Sequence, residues 1–181
     1  ETVIRNVVIL PAKVDVVRDS MKGPEGMAAE SDQLRARVEE AVASVLATKH
    51  GVKTLNGSAS SDSDTQRKQT ITDFQAKFDE LLPKVMKKRS DVKKGRFSMG
   101  DEVLIIFIRG QGQKLTSGKQ TFVVLVGGMP AFLKMQIGIV DARTGEVLLY
   151  TDPILVGDPT TAVDRLRKAL EKGFKKLPAS Q

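Results

Sequence analysis

The chain has 181 residues, enough for one domain with a real core and too few for two comfortable ones. It contains no Cys and a single His, which excludes disulfides, thiol catalysis, Cys-ligated zinc and any metal site built on two histidines. A net charge of +7 permits contact with nucleic acid, anionic lipid or an acidic protein without choosing among them, and a lysine excess that only keeps the chain soluble accounts for it as well.

No apolar run approaches the roughly 18 residues that a membrane helix needs. Aromatic residues are scarce, with no Trp and one Tyr, so the core must be built from Val, Leu, Ile and Met. The chain starts at Glu1 and not at Met, which leads us to expect an N-terminal segment ahead of it, with room for a signal sequence.

Val3-Ile4 and Val7-Val8-Ile9-Leu10 predict a first strand, stopped by Pro11, which cannot continue a central ladder. Residues 13–29 are expected as a loop that tucks Met21 and Met27 onto the core. A helix follows from Ser31, its N-cap, to His50, because Leu34, Val38, Ala41, Val42 and Val45 recur at helical spacing. Gly51 ends it, and Val52 to Leu55 form a short strand. Residues 56–65, rich in Ser and Asp, read as an exposed, mobile loop. The calcium-loop pattern fails there for want of its Gly and distal Glu.

A second helix is expected over 65–88, with Ile71, Phe74, Phe78, Leu81, Leu82 and Val85 on its inner face and a kink or break at Pro83. The segment from Asp101 to Thr151 then supplies four strand-like runs: Val103–Ile108, Phe122–Val126, Leu133–Val140 and Val147–Tyr150. Asp152–Pro159 is a loop. Thr161 and Asp164 have capping-box spacing ahead of a closing helix that runs to Lys176, with Val163, Leu166, Leu170, Phe174 and Leu177 inward.

These elements predict a single α/β (α+β) domain over residues 1–181, in the order β-α-β-α-β-β-β-β-α. It is a three-layer structure: a mixed sheet of five to six strands with helices on both faces. Lys134, Gln136 and Gly138 alternate with apolar neighbours, so the third of the four strands should be wet on one face.

No catalytic constellation emerges. Gly110-Gln111-Gly112-Gln113-Lys114-Leu115-Thr116-Ser117-Gly118-Lys119 fails as a phosphate-binding loop. Five residues separate Gly112 from Gly118, Gln120 follows Lys119, and a strand is expected next. It reads instead as a long hairpin loop. Asp141 to Glu146 suits a hairpin turn better than a carboxylate pair. His50 suits a helix C-terminus. Gly127-Gly128-Met129-Pro130 is read as a turn between two strands. Residues 84–96 are the densest basic run, but only Phe97 lies near enough to supply a stacking ring, and no nucleic-acid-binding motif accompanies it.

Three segments carry a resemblance. They are Val7-Val8-Ile9-Leu10-Pro11, Met99-Gly100-Asp101-Glu102-Val103-Leu104-Ile105, and Ile137-Gly138-Ile139-Val140-Asp141-Ala142-Arg143-Thr144-Gly145-Glu146-Val147-Leu148. Together with the closing amphipathic helix they resemble bacterial envelope lipoproteins related to the curli-secretion lipoprotein CsgG, the penicillin-binding-protein activator LpoB and the amino-terminal domain of TolB.

The resemblance implies an exported protein in the periplasm, held to a membrane by a lipid on a Cys upstream of Glu1. It implies a non-enzymatic role in binding other envelope proteins or in self-assembly, with no cofactor, metal or small-molecule substrate. The candidate partner-binding surface is Lys84, Lys87, Lys88, Arg89, Lys93, Lys94, Arg96, Arg109, Lys114 and Lys119. A basic module binding nucleic acid or anionic lipid is the alternative, with nucleic acid the less favoured of the two. A hydrolase or transferase would need a pocket of convergent polar groups.

Overall fold

The computed structural model describes residues 7–20, 22–50, 54–56, 72, 76, 104–125, 128, 131–141, 147–175 and 177, and the structural statements below concern these. The fold is mixed α/β. In chain order the elements are β1 (Val7–Ile9), β2 (Lys13–Ser20), β3 (Gly23–Gly26), α1 (Ala28–His50) and β4 (Thr54–Asn56). There follow β5 (Leu104–Leu115), α2 (Ser117–Leu125), β6 (Ala131–Asp141), β7 (Val147–Thr151), β8 (Ile154–Val156) and α3 (Val163–Phe174).

The strands form one sheet of eight, organised on the 12-residue β5. On one side β5 pairs in parallel with β1 and then β2. On the other it runs antiparallel to β6 over its whole length, from Leu104↔Asp141 to Lys114↔Ala131. The short strands complete the sheet: β4 parallel to β1, β3 antiparallel to β2, and β7 and β8 both antiparallel to β6.

The first strand stops ahead of Pro11, as expected, but the chain does not turn into a loop there. Having no N–H, Pro11 opens a gap in the ladder, and the chain resumes beside the same partner as β2. Glu39 of α1 fills the gap by accepting the Ala12 N–H at 2.7 Å. The expected loop over 13–29 is therefore corrected to β2, β3 and the start of α1. Met27 is buried as expected.

Two further corrections concern the sheet segment. Residues 110–115 are the far half of β5, not a hairpin loop, and of Phe122–Val126, read as a strand, residues 122–125 fall in the helix α2. Gly128 accordingly follows a helix, and its N–H is accepted by the Val123 carbonyl. The loop expected over 152–159 contains β8. By contrast, the strands expected at 133–140 and 147–150 form, as β6 and β7.

Side chains alternate across the sheet. On the first face Val7, Ile9, Val14, Val16, Leu104, Ile106, Ile108, Leu133, Met135, Ile137, Ile139, Leu149 and Leu155 meet α1 and α3 in one core. The α1 stripe forms as expected, with Leu34, Val38, Val42 and Val45 buried and Ala41 packed against them, and Leu46, not anticipated, joins it. Ser31 is not the N-cap, because α1 begins at Ala28. Its buried hydroxyl accepts the Val16 N–H at 2.9 Å and donates to the Met27 carbonyl at 2.7 Å, tying helix to strand. In α3 Leu166, Leu170 and Phe174 are buried while Val163 is exposed. The expected capping box is absent: Ala162 occupies the N-cap without a side-chain bond.

The second face is divided. Toward β1 it is apolar and closed, with Val8, Leu10, Ile105, Phe107 and Val140 buried. Toward β2 and β8 it carries Lys13, Asp15, Gln111, Gln113, Lys134 and Gln136, all of them exposed or half-buried. The wet face expected for β6 is this half. Of the helix expected over 65–88, Thr72 and Ala76 are described, and both are helical. The rest of it, the Ser/Asp-rich loop, the basic run at 84–96, the turn residues 142–146 and the His50 side chain lie outside the description.

Candidate binding groove

The open half of the second face holds a groove of about 460 Å³, lined by Asp15, Val17, Asp19, Pro24, Gln111, Gly112, Gln113 and Phe132. Its residues come from four strands, and register explains their meeting. Asp15 pairs with Gln111 and Gln111 with Lys134. Val17 pairs with Gln113 and Gln113 with Phe132. Paired residues in neighbouring strands project to the same face. The sheet therefore presents two adjacent rows, Asp15-Gln111-Lys134-Ile154 and Val17-Gln113-Phe132-Val156, the last positions coming from β8.

Behind the groove, on the opposite face of β5, Gly110 and Gly112 let Val14, Val16 and Pro159 approach the strand closely. Ile154 and Val156 remain 52% exposed, apolar side chains left at the rim on a strand that, among the described residues, pairs only with β6.

The charges at the groove are mostly committed. Lys119, in the first turn of α2, pairs with Asp19 at 2.7 Å, and the Thr116 N–H binds the Asp19 carbonyl, so α2 is strapped to the end of β2. Arg35 of α1 spreads one guanidinium over Asp15, Asp32 and the Val14 carbonyl. On the first face, opposite the groove, Lys114 pairs with Asp158 at 2.9 Å and donates to the Thr160 hydroxyl. Burial works against the Asp158 carboxylate, but bonds from the Thr160 hydroxyl, Lys114 and the Thr160 N–H outweigh it and hold its pKa below the ordinary carboxylate value. By contrast, Gln111 and Gln113 make no side-chain hydrogen bond to any described residue.

Of the candidate surface read from sequence, Arg109 lies on the second face of β5, two residues from Gln111, and makes polar contacts of its own. Lys114 and Lys119 sit at the other end of that strand in the ion pairs just given. Lys84, Lys87, Lys88, Arg89, Lys93, Lys94 and Arg96 lie outside the described residues. The phosphate-loop reading fails on spacing, as expected. Its topological argument needs correction, because a helix and not a strand follows Thr116. Among the described residues no three His, Cys, Asp or Glu side chains come together as a metal site would require, and no helix is long and apolar enough to cross a membrane.

Sequence reasoning missed every groove residue. Asp15, Val17, Asp19 and Pro24 fell in the expected loop, Gln111 and Gln113 in the expected hairpin. The overlooked signal was Lys13-Val14-Asp15-Val16, a strict polar–apolar alternation directly after Pro11. No protein-family model matches the sequence, and no match is found among curated proteins.

Proposed function

We propose that this chain is a non-enzymatic, protein-binding domain of the bacterial cell envelope, exported and lipid-anchored through a segment upstream of Glu1, and that it binds partners on the open half of its second sheet face. The observation that carries the reading is the pairing of exposed apolar residues, Ile154 and Val156, with a groove whose two carboxamides have no partner among the described residues. Apolar rims around unsatisfied polar groups suit contact with another protein. The envelope assignment rests on the short motifs that resemble the CsgG, LpoB and TolB group.

The basic-surface alternative has less behind it, since Lys114 and Lys119 already neutralise Asp158 and Asp19. The test places a photo-crosslinking amino acid at Gln113 in the native, full-length gene product and, as a control, at Lys168 on the exposed side of α3. Discrete membrane-fraction adducts from position 113 alone support the proposal. Equal adducts from both positions, no adduct from 113, or recovery of the full product from the cytosol overturns it.

A further inference from the structure

Away from the groove, the most exposed apolar feature of the described residues is the far end of α2. We infer that this tip is a lipid-contact site, where Val124 and Leu125 enter the boundary between headgroups and acyl chains of a bilayer while the base of α2 stays fixed to the sheet. The inference goes beyond the protein-binding reading above and depends neither on the groove nor on a lipid anchor.

The first argument is one of exposure. Leu125 is 79% exposed, the highest value for any large apolar side chain among the described residues, and Val124 beside it is 54% exposed. They end a helix whose other end is strapped down, Lys119 to Asp19 at 2.7 Å and the Thr116 N–H to the Asp19 carbonyl. The helix is thus held at its base and apolar at its tip. The Val123 carbonyl, one of those that a helix end leaves open, already accepts the Gly128 N–H at 2.8 Å, and a Cβ at position 128 would stand 2.5 Å from Val123 Cγ1. A carbonyl satisfied within the chain tolerates the loss of water that lipid contact brings.

The second argument is one of charge. Residues 120–133 carry no charged side chain, the longest such run in a chain that is 28% charged. Of the two lysines that bound the run, Lys119 is neutralised by Asp19, and Lys134 is half-buried on the second sheet face. No charged side chain of the run has to be dehydrated when the tip leaves water. The third argument is one of area. Two aliphatic side chains form a patch far smaller than the roughly 800 Å² that each partner of a stable protein interface buries. Lipid demands neither that area nor a matching shape, because apolar side chains gain in proportion to the surface they remove from water.

Two side chains hold lipid weakly, so the experiment keeps the chain at the surface, through an N-terminal histidine tag and a chelating lipid in vesicles of zwitterionic phosphatidylcholine. The chain has no Trp, so Leu125→Trp installs a sole fluorescent reporter, and Lys168→Trp on the exposed side of α3 serves as the control. The inference expects emission from position 125 to shift to the blue and to be quenched by lipids brominated in their acyl chains, in low and high salt alike, while position 168 does neither. Adding Val124→Asp should lower the quenched fraction about tenfold. Val124 is exposed, so its replacement leaves the fold intact, as an unchanged circular dichroism spectrum verifies. Equal quenching at the two positions, no quenching at 125, its loss in high salt, or indifference to Val124→Asp would overturn the inference. So would a blue shift without vesicles that grows with protein concentration, since a second copy would then cover the tip. The tag stands in for any native anchor, so failure here leaves the binding-domain proposal standing, and failure of crosslinking at position 113 leaves this one.

Discussion

Asp158 shows how much a single surface carboxylate does when its neighbours are fixed. Its oxygens take the Thr160 N–H at 2.8 Å, the Thr160 hydroxyl at 2.6 Å and the Lys114 ammonium at 2.9 Å. Arg37 of α1 donates to the Thr160 carbonyl from the other side. The 157–160 turn is thereby pinned between α1 and β5, and Pro159 is held over Gly112. A carboxylate whose folded-state pKa is depressed takes up its proton less readily when folded. Its stabilisation is complete above the unfolded-state pKa and is lost as pH falls through the folded-state value. Asp158→Asn should therefore lower stability near neutral pH by about 0.5–1 kcal/mol, a modest figure because the group is partly exposed. The gap between the two proteins should close in acid, below about pH 4. Urea midpoints across pH measure this, and a gap that widens in acid would contradict it.

At the scale of elements, the errors in reading the sequence have physical causes. An apolar run such as Phe122-Val123-Val124-Leu125-Val126 fits a buried strand or a short helix equally well, because five residues are too few to show a period. What settles it is the start: the Gln120 N–H closes a turn on the Thr116 carbonyl, and Lys119 locks that turn to Asp19. Glycine misled in the same stretch. Gly110 and Gly112 suggested a loop, yet they sit inside β5 because there is no room for a side chain. A Cβ on Gly110 would stand 3.1 Å from both Val14 methyl carbons and 3.3 Å from Leu133 Cδ1, and both neighbours are fully buried. Gly110→Ala should consequently destabilise by roughly 1–2 kcal/mol despite the backbone entropy it saves. In a Val14→Ala background the same change should cost little or nothing. A double-mutant cycle by chemical denaturation reads the coupling, and additive effects would mean that the strand shifts to accept the methyl.

At the scale of the molecule, the class of fold was legible because long apolar strands and amphipathic helices alternate along the chain, and β6, β7, α1 and α3 lie where periodicity puts them. The groove was not, because it belongs to no segment. It exists only where the register of β2, β5 and β6 sets Asp15, Gln111, Gln113 and Phe132 side by side, and no short window of sequence contains that register.

The division of the second face gives the strongest test of this architecture, since one strand crosses both halves. Ile106 and Phe107 point to opposite faces of β5 and are both buried, so each replaced by alanine should cost roughly 2–5 kcal/mol. Further along the same strand and on the same face as Phe107, Gln113→Ala should fall within about 0.5 kcal/mol of the parent. On β6 the contrast recurs between neighbours. Leu133→Ala, in the sealed core, should cost roughly 2–5 kcal/mol, and Phe132→Ala, half-buried at the groove, substantially less despite its larger ring. Denaturation midpoints of the five alanine variants decide the matter. If Phe132 and Gln113 proved as costly as Leu133 and Ile106, the second face would be sealed along its whole length in solution, and with it the groove on which the proposed binding depends.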